Sequence, residues 1–388
     1  MKKYYIYTFG CKVNQYETRL ISEKFKKDNF EPAQNPEEAD IVIFNSCTVT
    51  AEADKECEYY LRKTLKLGSR PEIILTGCMA KNKTPRLRDS FPEVKIVENK
   101  DELYAAPEKQ SVKTFEGRSR AFLKIQDGCD SFCSYCIVPF VRNRLWSKPE
   151  SEVLSEIENF VKSGYPEIVL TGIHVGKYGG GITKLIKKII EIPLEFRVRV
   201  SSIELNEIDG GLISLMKDNP EKICRHLHIP LQSGSDEILA KMNRRYTTGD
   251  FARKTDKILT ELPDSAVTTD IITGFPGETE KHHGETCDFV KRTSFSRFHI
   301  FRYSDRSGTK ASQFPDKVKT EEIKKRSDDL FRIDKTKRKT FLSRHAGTKR
   351  KAVYAGKNKA LTDNYITVRI PEKQSGIFEV KITENCEV

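Results

Sequence analysis

Short apolar runs alternate along the chain with longer stretches in which apolar positions recur every three or four residues. This pattern predicts repeated strand-helix units around a largely parallel sheet. In the first third, strands are predicted at Tyr4–Phe9, Ala39–Phe44, Glu72–Thr76 and Val94–Val97, with helices over Asn14–Lys27, Ala51–Leu67 and Lys83–Ser90. From Tyr104 to Ser119 the periodicity stops and Pro, Gly and charge collect, which is linker chemistry. A second series follows, with strands at Ala121–Gln126, Glu167–Thr171, Phe196–Ser201, His226–Leu231, Val267–Ile272 and Phe298–Tyr303. Right-handed crossovers of this length set neighbouring strands parallel, as in an incomplete barrel. Short strands at Lys351–Tyr354, Tyr365–Ile370 and Ile377–Ile382 suggest a small all-β module. The expected class is α/β: a Rossmann-like parallel sheet domain over 1–110, a partial (β/α)6 barrel over 115–340 and an all-β domain over 343–388.

Composition changes this picture in three ways. Apolar residues make up 37% of the 388 residues, which excludes mostly disordered and low-complexity classes. Lys and Arg exceed Asp and Glu by 68 − 56 = 12, an excess that favours a polyanionic partner, nucleic acid first. The run Lys317–Lys351 alone carries 14 basic against 5 acidic residues, either a solvated helix face or part of such a contact. Met1–Gly10 is too short and polar for a secretory segment and no long apolar run exists, so a cytoplasmic protein without a membrane span is expected. In that compartment thiols stay reduced, and clustered cysteines point to metal or redox chemistry.

Cys129, Cys133 and Cys136 stand in GCDSFCSYC, a C-x3-C-x2-C run just after a predicted strand. Three thiolates this close hold three irons of a cubane cluster and leave the fourth without a protein ligand. A structural zinc site is the competing reading and needs a distant fourth ligand, since the next histidine is His174. Cys11, Cys47 and Cys78 each lie just beyond a predicted strand, in YYIYTFGC, ADIVIFNSC and EIILTGC. Carboxyl ends of parallel strands share one edge, so these three also converge, and Gly10, Ser46 and Gly77 allow close backbone approach. A lone cysteine would read as core filling, which is the reading for Cys57, Cys224 and Cys287. Cys386 lies near the end and reads as incidental.

The C-x3-C-x2-C run ahead of a series of βα units resembles the radical S-adenosylmethionine enzymes. The resemblance implies that the open iron binds S-adenosylmethionine and that its cleavage yields a 5′-deoxyadenosyl radical. With the second cysteine triad and the basic β-rich end, the chain is similar throughout to the methylthiotransferase family. TFGCKVNQYE, GCDSFCSYCIVPFVRNR, VLTGIHVGKYG, RVSSIE, HLHIPLQSGSDEILAKMNRRYT and TDIITGFPGET carry that likeness. The CKVNQYE form is most like members acting on N6-threonylcarbamoyladenosine (t6A) in tRNA. Other members act on isopentenyladenosine in tRNA or on an aspartate of a ribosomal protein. The resemblance implies two 4Fe-4S clusters, S-adenosylmethionine as cofactor, a tRNA anticodon stem-loop as partner, a reductant such as flavodoxin or ferredoxin, and a TRAM-like RNA-binding module at the end. A non-catalytic RNA-binding protein stabilised by zinc is the alternative of another class.

Ligands of such barrels meet the carboxyl ends of the strands. The candidates for S-adenosylmethionine are accordingly Tyr135, near the adenine; Thr171 and Gly172, through backbone groups; Ser201, Ser202 and Glu204; Gln232; and Arg244, whose planar fork suits a carboxylate. Core filling for Tyr135 and a surface charge for Arg244 are the plain readings. His174, His226 and His228 are not assigned catalysis, because His226 and His228 share one strand face and serve there as lining or support. GFPGET lacks the Lys-Ser/Thr ending of a phosphate loop and reads as a turn after a strand. Arg142, Arg144 and Trp146 are candidates for clamping unstacked RNA bases, with packing as the plain reading for Trp146.

Overall fold

A computed structural model describes residues 1–104, 112–115 and 119–388. The N-terminal sheet has the order β2-β1-β3-β4-β5, from β1 (Lys3–Thr8), β2 (Glu31–Pro32), β3 (Ile41–Ser46), β4 (Glu72–Gly77) and β5 (Lys95–Ile96), all parallel. Every residue of β3 is buried, as a central strand covered on both faces requires. The covering helices are α1 (Lys12–Lys27), α2 (Ala51–Leu65) and α3 (Cys78–Ser90), so the third helix starts five residues before the predicted Lys83. Val13, Tyr16, Leu20 and Ile21 form the buried stripe of α1, and Asn14 and Glu17 are buried beside it.

The second unit is a parallel, incomplete barrel. Its first sheet joins β6 (Arg120–Lys124), β9 (Glu167–Thr171) and β10 (Arg197–Val200); its second joins β11 (His226–His228), β12 (Ala266–Thr273) and β13 (Arg297–Arg302). The two meet at a seam of single bridges, Val198 to Ile223 and Ser202 to His228. The predicted strand His226–Leu231 stops early because Pro230 has no N–H to donate. Between β6 and β9 lie a short hairpin, β7 (Gln126–Asp127) against β8 (Trp146–Ser147), then α4 (Val138–Val141) inside it and α5 (Glu150–Lys162) after it. The outer helices are α6 (Ile182–Ile190), α7 (Gly210–Asp218), α8 (Asp236–Lys241), α9 (Thr248–Glu261), α10 (Glu280–Arg292) and α11 (Thr320–His345). GFPGET makes the expected turn, with Thr279 capping α10. At the open edges α1 lies against β6 and α11 against β13.

The predicted linker lies largely outside the described residues, but Val112 and Phe115 within it are buried. Val112 N–H donates to Glu156 (3.0 Å) and Phe115 N–H to the Tyr165 hydroxyl (2.6 Å), so this part of the segment is packed chain. The C-terminal unit is a four-stranded antiparallel sheet, β16-β15-β14-β17, made of β14 (Lys349–Gly356), β15 (Lys359–Thr362), β16 (Thr367–Arg369) and β17 (Ile377–Lys381). β15 is not among the predicted strands. Lys357 and Asn358, both at positive φ (49° and 52°), make the two-residue turn before it, and Lys-Asn is a weaker turn signal than Asn-Gly. Past β17 the chain turns back, and Glu387 pairs with Thr367 of β16. This sheet sits at the amino-terminal ends of the barrel strands. Arg197 donates to the Lys351 and Leu361 carbonyls and Arg199 to those of Thr362 and Asp363, while both pair with the buried Glu167.

Candidate functional site

One triad lies in a single loop and the other is gathered from three strand ends, and the elements around them fix their shapes. The β7–β8 hairpin closes the base of the loop holding Cys129, Cys133 and Cys136. The Ser134 N–H and hydroxyl donate to the carbonyls of Met242 (3.0 Å) and Lys241 (2.8 Å), and the Asn243 amide to that of Phe132 (3.0 Å). Burial and the neighbouring Cys133 and Cys129 push the Cys136 thiol up to about 12. Burial acts the same way on Cys129, but His174 and Ser131 overrule it and bring that thiol below its usual value. His174 Nδ1 lies 3.5 Å from the Cys129 sulfur and its Nε2 2.6 Å from Glu207.

Cys11 precedes α1, Cys47 follows β3 and Cys78 follows β4, at one edge of the sheet. Gly10 and Gly77 make this edge possible. Both have positive φ (86° and 98°), and a Cβ would lie 2.7 Å from the Cys47 sulfur at Gly10 and 2.4 Å from the Ser46 carbonyl oxygen at Gly77. Burial raises the Cys47 thiol to about 11, and Cys78 and Cys11 stand near enough to push it further. Cys47 and Cys78 are buried and Cys11 is exposed; thiolates gathered in this way need cationic compensation, which cluster iron would supply. Each triad therefore has the donor set for three irons of a 4Fe-4S cluster.

A guanidinium backs each triad. Arg142 Nε is 3.4 Å from the Cys78 sulfur, and its other nitrogens reach Glu17 (2.9 Å), Asp127 (2.9 Å) and Asn14 (2.6 Å). Lys100 and Lys124 also pair with Glu17, which they and Arg142 hold well below the usual carboxylate range against the opposing effect of burial. Arg142 is thus buried and fully engaged, so of the three RNA-clamp candidates it is withdrawn from the surface, while Arg144 is exposed. Arg244 is 3.4 Å from the Cys133 sulfur and pairs with Glu204. The triads meet across the interface of the two units: Cys78 packs with Ile137 and Val141, and Ile137 directly follows Cys136. Arg306 adds a second tie, donating to Thr48 and Asp54 (2.6 Å each).

The other candidates fall at the carboxyl ends of the strands. Glu204 and Arg244 line a cavity of about 160 Å³ with Cys133, His174 and Tyr246. Tyr135 packs on Ile238, Met242 and Phe275, the core-filling arrangement. Thr171 ends β9, buried, and its carbonyl accepts from Ile125. Gly172 lies so close to Gln126 that a Cβ would stand 3.0 Å from it. Ser201 and Ser202 follow β10, and Ser202 bridges to His228. Gln232, at φ 76°, pairs through its backbone with Asp270 and Ile272. The sequence reading weighed His174 and assigned it no catalysis, and it did not single out Glu17 or Asp127; only the position of His174 just past a strand hinted at a place in the site.

Residues 3–98 match the family described as "Uncharacterized protein family UPF0004", and residues 123–290 match the Radical SAM superfamily. A Thermotoga maritima protein named threonylcarbamoyladenosine tRNA methylthiotransferase MtaB is 36% identical over 391 residues, covering 94% of this chain and 88% of its own. A Caldicellulosiruptor saccharolyticus protein named tRNA-2-methylthio-N(6)-dimethylallyladenosine synthase is 35% identical over 367 residues, covering 86% and 78%. Among solved structures, the radical S-adenosylmethionine methyltransferase TsrM from Kitasatospora setae aligns at a TM-score of 0.58 and 12% identity over 78% of this chain and 72% of that one, a likeness of fold alone. With both sequence signatures present in this order and relatives of such coverage, the chain belongs to the radical S-adenosylmethionine methylthiotransferase family.

Proposed function

We propose that this enzyme replaces the C2 hydrogen of t6A at tRNA position 37 with a methylthio group. The observation that supports the reading is the approach of the two cysteine triads, with Cys78 packed against Ile137, the residue after Cys136. The likeness to MtaB proteins of Thermotoga maritima, Bacillus subtilis and Aquifex aeolicus supports t6A as the base. The likeness to the dimethylallyladenosine synthase favours isopentenyladenosine as the second reading.

In this reading 1–110 carries the auxiliary triad, 115–340 the S-adenosylmethionine site and 343–388 a TRAM-like grip on RNA. When bound, a 4Fe-4S cluster on Cys129, Cys133 and Cys136 supplies the electron that cleaves S-adenosylmethionine, and one on Cys11, Cys47 and Cys78 carries the sulfur to be transferred. The chain's own residues orient and exclude. Arg244 and Arg142 direct N–H groups at one sulfur of each triad and moderate its negative charge. Glu204 and Arg244, with Thr171, Gly172, Ser201, Ser202, Gln232 and Tyr135, frame the S-adenosylmethionine site. Cys78 packs on Ile137 and Val141 on the side facing the other triad. Flavodoxin or ferredoxin is the proposed reductant, and the anticodon stem-loop the part of tRNA engaged.

Anaerobic turnover with reductant, S-adenosylmethionine and tRNA bearing t6A tests the reading, with 5′-deoxyadenosine and the methylthio nucleoside scored together. Cys78→Ala is expected to abolish methylthio transfer and retain 5′-deoxyadenosine formation; transfer surviving in a folded variant overturns the two-triad account. Activity on isopentenyladenosine tRNA but not on t6A tRNA selects the second reading.

A further inference from the structure

Inside the barrel, three adjacent strands each contribute one metal-ligating side chain. Val267 and Ile271 of β12 and Leu227 of β11 belong to the same buried apolar core as Phe251, Phe289 and Leu330 of the surrounding helices. The alternate residues, Thr268 and Asp270 on β12 and His226 and His228 on β11, therefore face the lumen. Asp270 is in register with His299 of β13, and Thr268 with His228. Asp270 Oδ2 lies 3.0 Å from His228 Nε2, and Oδ1 lies 3.1 Å from His299 Nδ1. One ligand atom from each of the three residues falls within 4.8 Å of the other two.

We propose that His228, Asp270 and His299 bind one divalent transition-metal ion of the zinc(II), iron(II) or cobalt(II) class. Asp270 is withdrawn from water, its side chain 20% exposed, and its ion-pair partners among the described residues are the two imidazoles and no Lys or Arg. A carboxylate so placed is held either by N–H donors or by a cation beside it. An ion with ligand distances of about 2.0–2.2 Å bridges the three donors after small ring tilts. Two imidazoles with one carboxylate are borderline donors that suit these metals, whereas magnesium and calcium prefer all-oxygen sites.

A second layer of hydrogen bonds matches the ligand role. Thr268 Oγ1 lies 2.9 Å from both His228 Nδ1 and His226 Nε2. The hydroxyl has one proton and two lone pairs, so His228 Nδ1 either donates to it or accepts from it. When His228 Nδ1 donates to Thr268, its Nε2 presents a lone pair toward Asp270, and that pairing needs a cation between the two acceptors. When Nδ1 accepts instead, a proton on Nε2 takes the cation's place. The metal thus replaces one proton in a prearranged network, with Thr268 fixing the ring as outer-shell partners of metal-bound histidines do. The His299 side chain is 40% exposed, which leaves open positions toward the lumen for water or another oxygen ligand.

Zinc serves as the probe, on the full chain with both clusters reconstituted. After equilibrium dialysis the expected result is about one zinc per chain, with X-ray absorption showing nitrogen and oxygen neighbours and no sulfur. His299→Gln, at a partly exposed position, and Asp270→Asn are each expected to weaken zinc binding at least about tenfold with iron content unchanged. Absence of stoichiometric zinc, zinc with sulfur neighbours, or zinc retained in full by His299→Gln overturns the proposal.

Discussion

Arg142 shows how one side chain joins structure to chemistry. Its planar fork meets Glu17, Asp127 and Asn14 at once and still presents Nε to Cys78, a set that an ammonium cannot match. Arg142→Met leaves Glu17 and Asp127 short of a buried partner, and the expected loss is about 3–5 kcal/mol, read by chemical denaturation. A loss below about 1 kcal/mol, the value of a surface pair, would show the network to be solvated. Gly10→Ala makes a narrower prediction. At φ 86° with a Cβ 2.7 Å from the Cys47 sulfur, the added methyl is expected to displace that cysteine and lower iron from roughly eight to roughly four per chain. Iron unchanged in the variant would mean that the backbone shifts freely there. Six cluster candidates could be chosen from sequence because cysteines at strand ends and at fixed spacing leave few other readings. The partners of Arg142 were hidden, because they lie 15 to 128 residues away.

At the scale of elements, the barrel and the C-terminal sheet are held by a charge cluster at the base of β9 and β10. Burial opposes ionisation of Glu167, but Arg199 and Arg197 outweigh it and hold the carboxyl well below its usual range. A depressed folded value means that stability is present above the unfolded value of about 4.3 and is lost as pH falls toward the folded one. Glu167→Gln is expected to melt well below the parent at pH 7, with the gap narrowing as pH falls below about 4. A gap independent of pH would place the effect in packing rather than charge. The strands were largely legible here because buried parallel strands read as apolar runs. The seam at β10 and β11 was not, since it consists of single bridges between residues 25 and 26 positions apart, Val198 to Ile223 and Ser202 to His228.

For the whole molecule, the excess of 12 positive charges is the sequence's claim about its partner. Folding uses up much of the strongest run. Arg326 is buried on Glu278, Arg338 pairs with Asp334, Lys337 caps two carbonyls, and Arg350 meets Asp264. Lys324, Lys335 and Lys339 on α11 stay exposed with no ion pair among the described residues. Changing Lys335 and Lys339 together to Glu is expected to weaken tRNA binding and to flatten the dependence of log K on log salt by about two. An unchanged slope removes this face of α11 from the RNA contact. No helix among the described residues is long and apolar enough to cross a membrane.

Local order sufficed for the α/β class and the net charge, and it marked out the three units and the two cysteine triads as candidates. Those depend on periodicity, spacing and composition, which are properties of neighbours in the chain. Only the tertiary structure decided that Cys78 packs beside Cys136's neighbour, that Arg142 faces inward, and that His228, Asp270 and His299 meet in the lumen. Those facts depend on which strand lies beside which and on the direction of each side chain, and the chain settles both only when its apolar faces are buried together.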